Sequence, residues 1–181
     1  MSRLGITIAL LSALACGCKA ESPDIEAPDL GGFDAGGVYA DTIISYGDDA
    51  NQTSCTDTLP LCSAAPAPCG PQEILGAPDA TAYVLPAYGR IEVAFRCSQI
   101  TEQGASGDEV TYDFQILATV ADSSEAIVEV SFDGSEYFTL QRLTATDQSF
   151  DLSREAVSVI RFVRISDTGS GGISIDAISA L

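Results

Sequence analysis

Six cysteines and 26 acidic residues are the groups of this chain with chemistry to offer, and it has no histidine to activate either kind. Without an imidazole, the usual general base for a serine or cysteine nucleophile is missing. The one lysine, Lys19, stands in a stretch rich in Pro, Gly and acids, which removes lysine-based covalent chemistry. Four cysteines, Cys55, Cys62, Cys69 and Cys97, follow the spacing C-x6-C-x6-C-x27-C. Zinc sites use closer pairs, often with histidine. An even set in an exported chain reads instead as two disulfides, in any of three connectivities. A carboxylate pair can hydrolyse a glycoside, but among 26 acids some pair always lies at a suggestive spacing. Solvated acids on strand edges and turns are the simpler reading. Tyr83, Tyr88, Tyr137 and Phe138 lie in or beside expected loops, where an aromatic face can stack on a ligand while polar neighbours orient its hydroxyls. Arg161 and Arg164, three apart on one expected strand, point to opposite faces and cannot form one anion clamp. The TGSGG run at 168–172 has no strand-to-helix context and is not a phosphate cradle.

The elements that position these groups follow an export segment. Arg3 precedes an apolar run from Leu4 to Ala15, and small residues lead into Cys16 and Cys18. A positive flank, a short apolar core and a small-residue cleavage zone are the parts of a secretory signal. The core is too short to remain as a membrane-crossing helix, which needs about 20 residues. With a cysteine at the cleavage point, in Ala13-Leu14-Ala15-Cys16 or Ala15-Cys16-Gly17-Cys18, the segment resembles a bacterial lipoprotein signal. That resemblance implies removal of residues 1–15, a lipid on Cys16 (alternatively Cys18) and attachment to a membrane of the bacterial envelope. Neither Gly17 nor Lys19 is the aspartate that retains enterobacterial lipoproteins at the inner membrane, so the outer membrane or cell surface is the expected location. Residues 16–37 then form the lipidated cysteine and a flexible acidic tether, and 38–181 a single domain.

The net charge of −18 excludes nucleic acid as a partner, because phosphates demand basic patches. It equally disfavours attachment to anionic lipid by charge. A chain with a single lysine and a single asparagine also suits a salty habitat, where ions screen self-repulsion.

After the tether the pattern is that of strands. Val110, Tyr112, Phe114, Ile116 and Ala118 alternate with Thr111, Asp113, Gln115, Leu117 and Thr119; Ala126, Val128, Val130 and Phe132 alternate likewise. Period-two patterning predicts that the first set of each faces a core and the intervening residues face water. Val38–Tyr46, Gly89–Phe95, Tyr137–Leu140, Val157–Ile165 and Ile173–Ala180 are further expected strands, with residues 48–72 a long loop stapled by disulfides. No stretch shows a helical face of three turns. The expectation is an all-β, antiparallel sandwich.

Several ordered segments carry a second resemblance. VEVSFDGSEYFTL (128–140) and IRFVRISDTGSGGISIDAISAL (160–181) look like the hairpin and closing strands of discoidin, or coagulation-factor C-type, domains. ADTIISYG (40–47), LGAPDA (75–80) and GDEVTYDF (107–114) are similar to a bacterial cell-surface branch of the same galactose-binding-like jelly roll. The resemblance implies that fold over 38–181 and a non-catalytic recognition or adhesion role, toward carbohydrate or another envelope or extracellular component. A structural envelope protein or complex subunit is the alternative, and a glycoside-type hydrolase stands third. The resemblance also implies a structural calcium, for which Asp41, Asp79, Asp108, Asp113 and Asp176 in those segments are the candidate ligands. Two family features are missing: a tryptophan after the Asp-Gly turn, and a disulfide joining the domain ends.

Overall fold

A computed structural model describes residues 39–48, 51–54, 71–104, 111–169 and 171–181. The export segment and tether, with Cys16 and Cys18, lie outside the described residues, as do Cys55, Cys62, Cys69 and Asp108.

Short alternating runs form sheets here because each presents one apolar face to bury and is closed by turn chemistry. The strands are β1 (Thr42–Asp48), β2 (Asn51–Ser54), β3 (Tyr83–Leu85), β4 (Gly89–Ala94), β5 (Ile100–Thr101) and β6 (Phe114–Val120). They continue as β7 (Ala126–Ser131), β8 (Phe138–Leu143), β9 (Gln148–Phe150), β10 (Val159–Ile160), β11 (Phe162–Asp167) and β12 (Ile173–Ala180). One sheet has the order β2-β1-β4-β11-β7-β8, the other β3-β12-β6-β9, and β10 pairs with β5 apart from both. Every pairing is antiparallel. The chain is an all-β antiparallel sandwich, as its alternation predicts.

The inward residues of the larger sheet, Ile91, Val93, Val128, Val130, Val163 and Ile165, share one core with Ile116, Phe150, Ile173, Ile175 and Ile178 of the smaller. Phe114 and Phe150 face each other in the β6–β9 pairing and stack with ring centroids 4.9 Å apart. Each such side chain contributes about 1.5–3 kcal/mol on burial. In β12 a register shift between Ile175 and Ala177 leaves Asp176 as the extra residue. The inward row therefore moves from Ile175 to Ile178, as a bulge requires.

The connections β3–β4, β6–β7 and β11–β12 each pass from one sheet to the other, and they meet at one end of the sandwich. There the Ala121 N–H donates to the Gly172 carbonyl (2.9 Å) and Thr168 N–H to that of Glu125 (3.2 Å). At the opposite end Asp113 joins four segments. Its Oδ1 accepts from the Gln103 N–H and its Oδ2 from the Leu152 N–H, both at 2.8 Å. Its own N–H donates to the Phe150 carbonyl (2.8 Å), and its carbonyl accepts from the Leu181 N–H (2.9 Å).

Several boundaries differ from the sequence reading, for local reasons. β6 begins at Phe114, so Tyr112 escapes the alternation and is 47% exposed. Asp113, expected to face water, is only 1% exposed, because its carboxylate serves the two backbone donors just named. β7 stops at Ser131, where the Ser131 hydroxyl accepts from the Gly134 N–H (2.9 Å) and starts the turn; Phe132, expected in the core, is exposed. The return strand is Phe138–Leu143 rather than Tyr137–Leu140. The first strand is Thr42–Asp48 and the fourth ends at Ala94. Val157–Ile165 is broken at Arg161, whose backbone bonds to Ser131 and Phe95 instead of continuing one ladder. The expected loop 48–72 contains β2.

Removing the Asp113 carboxylate strands the buried Leu152 N–H and leaves the more exposed Gln103 N–H to water. Asp113→Ala should therefore lower the unfolding free energy by about 3 kcal/mol, read as a lower urea midpoint at unchanged slope. A loss below about 1 kcal/mol would show that these bonds are replaced by water.

Candidate functional site

The crossover end presents Tyr88, one of the aromatics singled out by sequence. Pro86–Gly89 is a tight turn, with the Gly89 N–H donating to the Pro86 carbonyl at 2.7 Å. Tyr88 occupies its third position at φ 56°, where a type II turn ordinarily carries Gly or Asn. A left-handed backbone costs an ordinary L-residue roughly 1–2 kcal/mol. Asp167, buried at the end of β11, holds it there: its Oδ1 accepts from the Tyr88 N–H at 3.0 Å. The same carboxylate accepts from the N–H groups of Gly169 (2.6 Å) and Gly171 (3.2 Å). The Tyr88 ring lies against Gly169, where a β-carbon would stand 2.3 Å from its Cε1. Glycine is thus demanded at 169 by the ring above it, and the ring itself remains 61% exposed.

The other expected aromatics have different surroundings. Tyr83 is half-buried against the core; that burial, and then the neighbouring Tyr46, raise its phenol above the ordinary tyrosine value. Phe138 is exposed on edge strand β8, and Phe132 is exposed just beyond β7, with the Arg161 guanidinium 5.8 Å from the Phe132 ring centroid. Tyr137 closes a polar cluster on the outer face of the larger sheet. Glu92, Arg164 and Glu129 stand side by side across β4, β11 and β7. Arg164 donates from Nε and Nη2 to Glu92 Oε2, each at 3.1 Å, with Glu129 Oε2 3.8 Å from its Nη1. Tyr137 donates its hydroxyl to Glu92 Oε1 (2.6 Å) and covers the guanidinium, whose carbon is 3.4 Å from the ring centroid. This is a fold-holding contact that pins the β7–β8 turn to the sheet, rather than an open platform.

The carboxylates considered for calcium are dispersed. Asp41 accepts from the N–H groups of Arg96 (3.0 Å) and Cys97 (2.8 Å). Asp79 and Asp176 are brought together, but through the backbone: Asp176 accepts from the N–H groups of Asp79 and Ala80, each at 3.3 Å. Asp79 is held below the usual carboxylate range by the Thr81 hydroxyl and then the Thr81 N–H. Asp113 is at the far end, in the role described above. Among the described residues no three His, Cys, Asp or Glu side chains converge where a metal could sit. Cys97 is exposed, and the cysteines proposed as its partners lie outside the described residues.

One concavity lies away from the crossover end, beside Asp113. It is lined by Tyr112, Gln141, Gln148, Ser149, Asp151 and Arg154, and the sequence reading named none of them as a ligand contact. Their only sequence signal is an accumulation of amide and charged residues around two short strands, which is also what an edge strand shows. No family profile, curated protein or solved structure matches this chain.

Burial of the Tyr137 phenol, and then its bond to Glu92, raise it above the ordinary value of 10.0. A raised folded-state value means that the neutral phenol's stabilisation is complete below about pH 10 and fades as pH rises further. Tyr137→Phe should therefore flatten part of the decline in stability above pH 10, measured by urea unfolding across the alkaline range. An unchanged slope would show that this hydroxyl titrates like a free one.

Proposed function

We propose that this chain is an exported, lipid-anchored recognition module of the bacterial envelope, tethered through Cys16 or Cys18. Its sandwich, of the galactose-binding-like jelly-roll kind, binds carbohydrate without catalysis through the crossover end. The observation that carries this reading is Tyr88: a large, exposed aromatic kept in a left-handed backbone by a buried carboxylate. Strained backbone that persists because its surroundings over-determine it is concentrated at functional sites. A tyrosine ring backed by bare glycine offers its outward face to the apolar side of a sugar. The small residues beside it, Ala87 and Gly171, leave the ring face open to a ligand. Neutral saccharides also suit a surface whose net charge of −18 repels anions.

A second reading, a structural envelope subunit, is favoured by Phe132 and Phe138, which stand exposed around the β7–β8 turn at the other end. Exposed aromatics of this kind mark protein contacts when they form a larger patch.

On a broad glycan array the purified chain should give a saccharide-selective signal. Tyr88→Asn should reduce that signal about tenfold or more. Because Asn tolerates the left-handed region, the same variant should keep its stability or gain up to about 1 kcal/mol. Silence across the panel would overturn the carbohydrate reading in favour of the structural one, and undiminished binding by Tyr88→Asn would remove the crossover end as its binding surface. Gly169→Ala should also weaken binding, because its β-carbon displaces the ring, and should lower stability by roughly 1–3 kcal/mol.

A further inference from the structure

Along the side where β8 and β9 are edge strands, the two sheets leave a cleft between them. Its volume is about 330 Å3, and its walls are Tyr112, Gln141, Gln148, Ser149, Asp151 and Arg154. Each of these side chains carries a polar group, and some of that polarity holds the fold. Gln148 Oε1 accepts from the N–H groups of Thr144 (2.9 Å) and Ala145 (3.2 Å), while its Nε2 donates to the Arg142 carbonyl (2.8 Å). Its carboxamide thus takes the place of a next strand on the β8 edge. Asp151 Oδ1 caps the 3-10 turn Leu152–Glu155 through the Ser153 N–H (2.8 Å). Arg154 Nη1 donates to Gln141 Oε1 (3.1 Å). The remaining groups have no partner among the described residues: Asp151 Oδ2, Gln141 Nε2, the Ser149 and Tyr112 hydroxyls, and the other guanidinium N–H groups of Arg154.

We propose that this cleft binds a neutral saccharide unit. It is at the small end of ligand-binding cavities, which run from about 300 to 1,000 Å3. A carboxylate oxygen beside guanidinium and amide donors is complementary to vicinal hydroxyls: one donates to Asp151, and its neighbour accepts from Arg154 or Gln141. The exposed ring of Tyr112 supplies an apolar face at the rim. Other ligand classes fit less well. One carboxylate falls far short of the 6–8 oxygens that calcium requires. An anion would meet Asp151 directly, with a net charge of −18 on the chain behind it. An extended peptide adding to β8 needs free edge groups, and Gln148 already occupies Arg142 and Thr144. The proposal is independent of the Tyr88 site, since the two share no residue.

The test is a titration of the full 15N-labelled chain with methyl α-mannoside, methyl β-galactoside and N-acetylglucosamine, followed by NMR. At least one sugar should produce saturable shifts at the Gln141 and Gln148 side-chain amides and at Ser149 and Arg154, with a millimolar dissociation constant. Asp151→Asn keeps a good helix-capping side chain but loses the carboxylate. It should weaken that binding about tenfold with an unchanged thermal midpoint. Absent or non-saturating shifts in the cleft, or full affinity in Asp151→Asn, would overturn the inference. Saturable shifts confined to Tyr88 and Gly171 would overturn it while upholding the crossover end as the binding surface. Shifts confined to the cleft would uphold it and remove the Tyr88 reading.

Discussion

Where strands end or the chain passes between sheets, backbone N–H groups face no neighbouring strand, and aspartates supply their acceptors. An N–H left without a partner is costly where it is buried, as at Leu152, and less so where water can reach it. Asp41 serves Arg96 and Cys97; Asp113 serves Gln103 and Leu152; Asp176 serves Asp79 and Ala80. Asp167 serves Tyr88, Gly169 and Gly171. Each joins segments distant in sequence, and a buried bond to a charged acceptor, such as that from Leu152 to Asp113, contributes about 1.5–3 kcal/mol. Part of the chain's acidity is therefore internal wiring rather than surface charge.

The Tyr88 platform depends on the same device. Its backbone is unfavourable alone, and the carboxylate that holds it also fixes Gly169 beneath the ring and the neighbouring Gly171. Position and rigidity come together, so the ring is presented in one place with little left to order on contact. The outer face of the larger sheet shows a related economy. There Arg164 is paired with Glu92 and covered by Tyr137, which closes a polar patch on the sheet.

The alternation of Ala126, Val128 and Val130 made β7 and its buried face legible, and the same holds for Ile173–Ala180. What period-two reading misses is where alternation stops. Tyr112 and Phe132 continue the pattern in sequence, yet Tyr112 lies before β6 begins and the turn at Ser131 carries Phe132 past the end of β7, so both are exposed. Asp113 looked like an outward residue because nothing local announces two donors from residues 10 and 39 positions away. Tyr88 was visible as a loop aromatic beside proline and glycine, but its backbone angle was not. The cleft was illegible for a topological reason: its walls come from segments on two different sheets, and no spacing in the chain records their meeting.

Gln148 has a consequence of another kind. An open sheet edge is a template on which a second copy can grow, and proteins blunt such edges with charge, proline or cover. Here a side-chain carboxamide, presented from the facing sheet, satisfies the C-terminal end of the β8 edge from within. At that end the edge offers fewer free backbone groups on which another chain could pair. The residue that shapes one wall of a cleft thereby also closes part of a sheet edge.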